Sequence, residues 1–207
     1  TMGPQFVATN RGKRSVCVDL TTEAGSRVIH ALLNEADVFL TNYRQPALDK
    51  MGLSYEQLKQ QYPALIYASV NGFGPKGPDR DKAMIDGVAS SRGGLVHHTG
   101  YADREASLPG AIVIDTAGAM QLALGVMTAL FARERHGCGQ QVQTSALGAT
   151  LWLQQWELTH VGVTGARLGR DGNHHPNIRS FYGIYRTRDN GEIMLAQVME
   201  QEAWDSL

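Results

Sequence analysis

Helical and extended hydrophobic patterns alternate along most of this chain. Within Glu23–Glu35, Val28, Ile29, Leu32 and Leu33 fall three and four residues apart, the spacing of one helix face. Short apolar runs at 16–20 and 37–41 flank that stretch and read as strands, giving a β-α-β pattern. A second predicted helix, Tyr55–Gln61, stops before Pro63, and a β-rich run follows at 65–70. Such alternation predicts a parallel sheet with helices packed on its faces, an α/β domain of the Rossmann-like kind.

A loop rich in Gly and Pro occupies 71–81, and a long helix is expected from Thr116. Residues 116–132 carry no charge, and Arg133, Arg135 and His136 close the helix with Gly137 just beyond. The uncharged run falls short of the roughly 20 residues that span a bilayer. Being apolar nearly all round, it reads as a buried core helix. A strand is expected at 141–144 and a helix at 146–160, with Leu147, Leu151, Trp152 and Trp156 at core spacing. After His160 the composition shifts to Gly, His, Asn and Arg, which marks a linker. Alternating segments at 181–185 and 193–196 around the turn 188–191 predict a hairpin, and a further helix reaches Trp204. Two domains are therefore expected: a large α/β domain over 1–160, and a linker with the beginning of a smaller α+β domain over 161–207. Strands left open at both ends suggest that flanking β-α units are missing.

Charge changes the picture by exclusion. A formal net charge of −1 leaves no electrostatic footprint for nucleic acid or an anionic membrane. The two cysteines, Cys17 and Cys138, show no metal or redox spacing, and the first residues hold no apolar leader; a cytoplasmic protein is expected.

Several motifs offer chemistry. Residues 72–77 match the dinucleotide pattern G-x-G-x-x-G, but Pro75 and Pro78 forbid the helix that would receive a pyrophosphate, so a tight loop is expected. His97-His98 and His174-His175 point their rings apart on any regular element and have no carboxylate at i+3 or i+4, so no metal site is expected. Lys13 and Arg14 lie beside the first expected strand, Arg44 and Lys50 after the second, and clustered at one sheet edge they could hold phosphates. Asp115 stands between the apolar run 111–114 and the helix expected to open at Thr116. Asp is a preferred N-cap, yet small neighbours (Ala117, Gly118, Ala119) also leave room for a substrate.

The order and spacing of several short blocks are more specific than any one of them. These are residues 10–16, 36–38 with Asn42-Tyr43-Arg44, 48–52, 63–69, Gly72-Phe73-Gly74 with Gly77-Pro78, Asp115-Thr116-Ala117-Gly118, Ala129-Leu130 with Arg133, and Gly137-Cys138-Gly139-Gln140. Together they resemble the class III coenzyme A transferases, the family of formyl-CoA and carnitine-CoA transferases. The resemblance implies that Asp115 is the nucleophile. It also implies that coenzyme A, as co-substrate, runs along Val18, Asp19, Leu20, Thr21, Asn42, Tyr43, Arg44, Lys50, Ala83, Met84, Ile85 and Asp86. Lys50 stands where the family often has arginine, and Ala83 and Ile85 replace a lysine and a tyrosine that touch the cofactor in formyl-CoA transferase.

The activity implied is transfer of coenzyme A from an acyl-CoA to a free carboxylic acid through an aspartyl-CoA thioester, in a homodimer whose complete chains interlock. The 2-methylacyl-CoA racemases of the same fold carry a histidine where Ile85 stands, and Ile85 cannot move a proton. Complete family members are longer at both ends, so a non-catalytic fragment that binds coenzyme A is the reading from a different class.

Overall fold

A computed structural model describes residues 3–178, 181–196 and 201–205. After a short helix α1 (Pro4–Thr9), the chain builds α2 (Glu23–Glu35), β1 (Val38–Thr41), α3 (Gln45–Met51), α4 (Tyr55–Gln61) and β2 (Ile66–Asn71). Then come α5 (Asp86–Arg92), a 3₁₀ turn (Leu95–His97), α6 (Val113–His136), β3 (Gln141–Ser145), α7 (Ala146–Leu153) and α8 (Gln155–Thr164). A hairpin, β4 (Gly183–Arg186) and β5 (Glu192–Leu195), and helix α9 (Gln201–Asp205) follow.

The three strands of the main sheet lie in the order β1-β2-β3, all parallel, with Thr41 opposite Ser69 and Asn71 opposite Ser145. The α/β Rossmann-like expectation therefore holds. The central strand is buried on both faces, Ile66, Tyr67 and Ala68 being 0–2% exposed, as expected when helices cover both sides. Tyr67 packs with Leu33, Leu48, Leu53, Leu58 and Leu65 from the α2–α4 side, and its phenol donates to the Leu53 carbonyl at 3.0 Å. A second cluster joins Ala89, Ile114 and Ala149, tying α5, α6 and α7 together. Gly139 lets β3 approach its neighbour: a Cβ there would lie 2.2 Å from the Leu65 carbonyl oxygen. Arg133 anchors the far end of α6, donating to Asp37 Oδ1 at 2.7 Å and to the Ala64 carbonyl at 3.2 Å.

Four local expectations change. Residues 16–20 form no strand, because the side chains of Asp19 and Thr22 bond to nearby backbone and fold 19–22 into a turn that starts α2. Helix α6 begins at Val113, three residues earlier than expected, since a distant carboxylate supplies its cap. The helix expected over 146–160 breaks at Gln154, whose buried amide donates to the carbonyls of Gly93 and Thr150, both at 2.9 Å. Finally, α6 is only partly buried. Ile114, Gly118, Leu122 and Ala129 face the core, whereas Met120, Leu124, Met127 and Phe131 are 60–69% exposed. The helix is long and apolar enough to cross a membrane by length and composition, yet one stripe packs on β2, β3 and α7.

The hairpin expected at 181–196 is present over β4 and β5, closed by Asn190 at φ 65° and Gly191. Residues 179, 180, 197–200, 206 and 207, which include parts of the segments read from sequence, lie outside the described residues.

Candidate active site

In a parallel sheet every strand ends on the same edge, and ligands gather in the crevice there. The residues expected to form the site reach that edge in two groups. The first follows β1 and precedes α2. Leu20, Asn42 and Tyr43 line one cavity of about 270 Å³ with Ile29, Phe39, Leu40, Thr41 and Leu53. Its walls are mostly apolar, with Thr41 and Asn42 the polar residues among them. Val18 and Asp19 lie against the first turn of α2, where Gly25 is buried beneath the Asp19 carbonyl. Thr22 caps α2 by accepting from Gly25 N at 3.0 Å, and Asp19 Oδ1 accepts from both Thr21 N (2.9 Å) and Thr21 Oγ1 (2.6 Å). Those bonds hold the Asp19 carboxyl below its ordinary pKa. Arg44 starts α3 and Lys50 lies in its last turn; both are exposed, and neither joins a salt bridge among the described residues. Lys13 instead donates to Asn10 Oδ1 at 3.2 Å.

The second group surrounds the start of α6. The loop after β2 turns back at Gly72, where a Cβ would lie 2.6 Å from Met84 Cβ, and no helix begins until Asp86. Met84 packs on the Ala89–Ile114–Ala149 cluster, while Ala83 is exposed and Ile85 is 71% exposed. Asp86 opens α5, and its Oδ2 accepts from Ile114 N at 2.7 Å and Asp115 N at 3.2 Å. Asp115 is thus not the cap of α6 but the third residue of its first turn, exposed to solvent. No hydrogen bond reaches its carboxylate among the described residues. Partial burial raises its pKa above the ordinary value, and the negative charge of Asp86 pushes it further the same way.

Sequence reasoning missed what Asp86 does, because a cap supplied from 29 residues away has no local signature. The glycine loop near 169–173 is held by Arg170, which donates to the carbonyls of Tyr101 and Arg104. The Gly172 N–H donates to Gly100 O at 2.9 Å. Among the described residues no cluster of His, Cys, Asp and Glu side chains converges as a metal site would require.

Comparison with known proteins bears directly on this arrangement. The chain is 35% identical over 188 residues to an acyl-CoA transferase of Fusarium pseudograminearum, aligning 89% of this chain with 40% of that protein. It is also 35% identical over 179 residues to the succinyl-CoA–D-citramalate CoA-transferase of Chloroflexus aurantiacus, covering 86% of this chain and 44% of the relative. A crystal structure of a CaiB/BaiF family protein from Brucella suis superposes with a TM-score of 0.82 at 35% identity, over 90% of this chain and 49% of the other. The chain therefore spans less than half the length of these relatives. Residues 1–207 match the family described as CoA-transferase family III, and the chain belongs to that family.

Proposed function

We propose that this protein transfers coenzyme A from an acyl-CoA donor to a free carboxylate acceptor, with Asp115 as the nucleophile. The observation that carries the reading is an exposed carboxylate with no hydrogen-bond partner among the described residues and a raised pKa, on the first turn of a helix at the carboxyl edge of the parallel sheet. An unpaired, more basic carboxylate is a better nucleophile than one held by backbone amides.

In the proposed sequence an Asp115 oxygen attacks the thioester carbonyl of the donor. The C–S bond breaks, its electron pair leaves on sulfur, and a mixed anhydride joins Asp115 to the acyl group. The retained thiolate then attacks the aspartyl carbonyl, releasing the donor acid as its carboxylate and leaving an aspartyl-CoA thioester. The acceptor carboxylate attacks that thioester, forms a second anhydride and expels the thiolate. The thiolate finally takes the acceptor acyl group and regenerates the Asp115 carboxylate. No net proton movement is needed. Holding the thiolate beside the anhydride gives it the effective concentration to compete with water.

Coenzyme A is proposed to lie along Val18–Thr21 and Asn42–Arg44, past Lys50, towards Ala83–Ile85. The cavity between Leu20 and Tyr43, with exposed Arg44 and Lys50 close by in sequence, supports that path. A homodimer in the cytoplasm belongs to the same proposal, and the exposed ridge Met120, Leu124, Met127 and Phe131 is a surface that could join two copies. Because the chain covers less than half of its relatives, binding of coenzyme A without turnover is the competing reading.

The deciding experiment incubates the protein with acyl-CoAs, traps with hydroxylamine and locates the adduct by mass spectrometry. The expected result is modification at Asp115 and none in Asp115→Ala. As the Asp115 carboxylate accepts no cap bond among the described residues, that substitution should cost the fold no stability. Undiminished transfer by Asp115→Ala refutes the assignment; binding of coenzyme A with no adduct and no transfer favours the non-catalytic reading.

A further inference from the structure

We infer that Asp86 is a positioning residue for Asp115: by taking the first-turn amides of α6, it leaves the Asp115 carboxylate unpartnered and available to react. The inference rests on the reading of Asp115 as nucleophile and concerns what keeps that nucleophile free.

A helix leaves its first N–H groups without intrahelical partners. In α6 the residue at the N-cap is Ile112, which has no side chain able to accept them. A carboxylate in the third helical position, where Asp115 stands, lies beside these free first-turn amides, its own included, and is ordinarily drawn to them. That arrangement would pin the Asp115 oxygens to the backbone and stabilise their charge. Here Asp86 Oδ2 already accepts from Ile114 N at 2.7 Å and from Asp115 N at 3.2 Å.

Asp86 is itself fixed from behind. It opens α5, which is seated by Ala89 in the cluster with Ile114 and Ala149, and Met84 packs against the same cluster two residues before it. The carboxylate is therefore delivered to α6 by a rigid element rather than by a mobile loop. Its negative charge also sits at the positive end of the α6 dipole, offsetting the field that would otherwise make Asp115 a weaker base. The raised pKa of Asp115, with burial as its larger cause and Asp86 as the second, is consistent with that arrangement. The role differs from the cofactor contact expected for Asp86, since the oxygen in question faces α6.

The test uses the native gene product in single turnover with an acyl-CoA, following formation of the Asp115 adduct. Asp86→Ala should slow adduct formation by about tenfold to a hundredfold, the scale on which an ångström of misplacement acts. Apparent affinity for coenzyme A should stay within about twofold. Asp86→Asn, which keeps an acceptor oxygen in place, should recover the rate to within about tenfold of wild type. A wild-type adduct rate in Asp86→Ala overturns the inference. So does weakened affinity with an unchanged rate at saturation, which would make Asp86 a cofactor contact. If the alanine variant does not fold, amide exchange in Asp86→Asn decides. Protected Ile114 and Asp115 amides with a preserved rate support positioning; protected amides with the rate lost refute it. Failure of the underlying reading looks different, because then no adduct forms on Asp115 even in the wild type, and the inference falls with it.

Discussion

Gly25→Ala offers a sharp test of how the segment before α2 is held. In the folded chain a Cβ at position 25 would lie 1.9 Å from the Asp19 carbonyl oxygen, 2.7 Å from its carbonyl carbon and 3.1 Å from Val18 Cγ1. The obstruction is backbone, so no side-chain rotation relieves it. The 18–21 segment must move more than an ångström from α2, or α2 must tilt away from β1. Either response strains the turn in which Thr22 N and Thr22 Oγ1 both donate to Asp19 O, at 3.2 and 2.9 Å. Overpacking of this kind costs about 1–3 kcal/mol, while replacing glycine by alanine inside a helix returns about 1 kcal/mol. Net stability should therefore change by no more than about 2 kcal/mol, and the displacement should appear chiefly at the surface that 18–21 presents. If coenzyme A runs along that surface, its dissociation constant should rise roughly tenfold, the loss of one charge-assisted or two neutral hydrogen bonds. Calorimetric titration with coenzyme A, alongside a melting curve, separates the two effects. Unchanged affinity in a folded Gly25→Ala protein refutes the proposed path along Val18–Thr21, and a higher melting temperature shows that the close approach to Asp19 is not rigid.

Charge and tertiary anchoring give three more expectations. The acid limb of the transfer rate should lie above the ordinary carboxylate value of 3.8, because Asp115 is raised by burial and by Asp86, and Asp86→Asn should move it to lower pH; an acid limb at or below the ordinary value contradicts the assignment. A carboxyl with a raised folded pKa destabilises the fold as pH climbs through the window above 3.8, so Asp115→Asn should stabilise at neutral pH and lose that advantage in acid, as melting curves would show. Arg133→Ala removes the bonds to Asp37 and Ala64; both partners are exposed and can turn to water, so the cost should be about 1 kcal/mol, and a denaturant midpoint unchanged from wild type would show that α6 is held by packing alone.

The alternation of strands and helices was legible because it depends on local periodicity. Val28, Ile29, Leu32 and Leu33 do stand on one helix, and 65–70 does become the buried central strand, displaced by one residue to Ile66–Asn71. What pattern could not supply were the non-local partners. The run at 16–20 is apolar enough for a strand, but side-chain acceptors at Asp19 and Thr22 win its backbone for a turn. Gln154 looks like an ordinary helical residue until Gly93 is brought within reach of its amide. Helix α6 is apolar on both sides, so its sequence could not distinguish the stripe that meets the sheet from the ridge left exposed. For the site, Asp115 was legible through the blocks around it, whereas its freedom from hydrogen bonds required the fold.

On the proposed reading of Asp115 as nucleophile, that last point gives the site a use for two carboxylates rather than one. A helix N-terminus is the natural place to hold an anion, and the same donors that hold it there would also lower its basicity. A nucleophile built on a helix start therefore faces a conflict between being placed and being reactive. Asp86 resolves the conflict by dividing the work. It occupies the amides of Ile114 and Asp115, so α6 is capped, while the Asp115 carboxylate, in the same first turn, is exposed and accepts no hydrogen bond among the described residues. Substituting either aspartate by the neutral isostere changes only one half of the arrangement. Asparagine at 86 still caps but no longer repels, whereas asparagine at 115 leaves the cap intact and removes the proposed nucleophile. On this reasoning the first variant retains transfer with a displaced acid limb, and the second folds at least as well as the wild type but cannot form the covalent link.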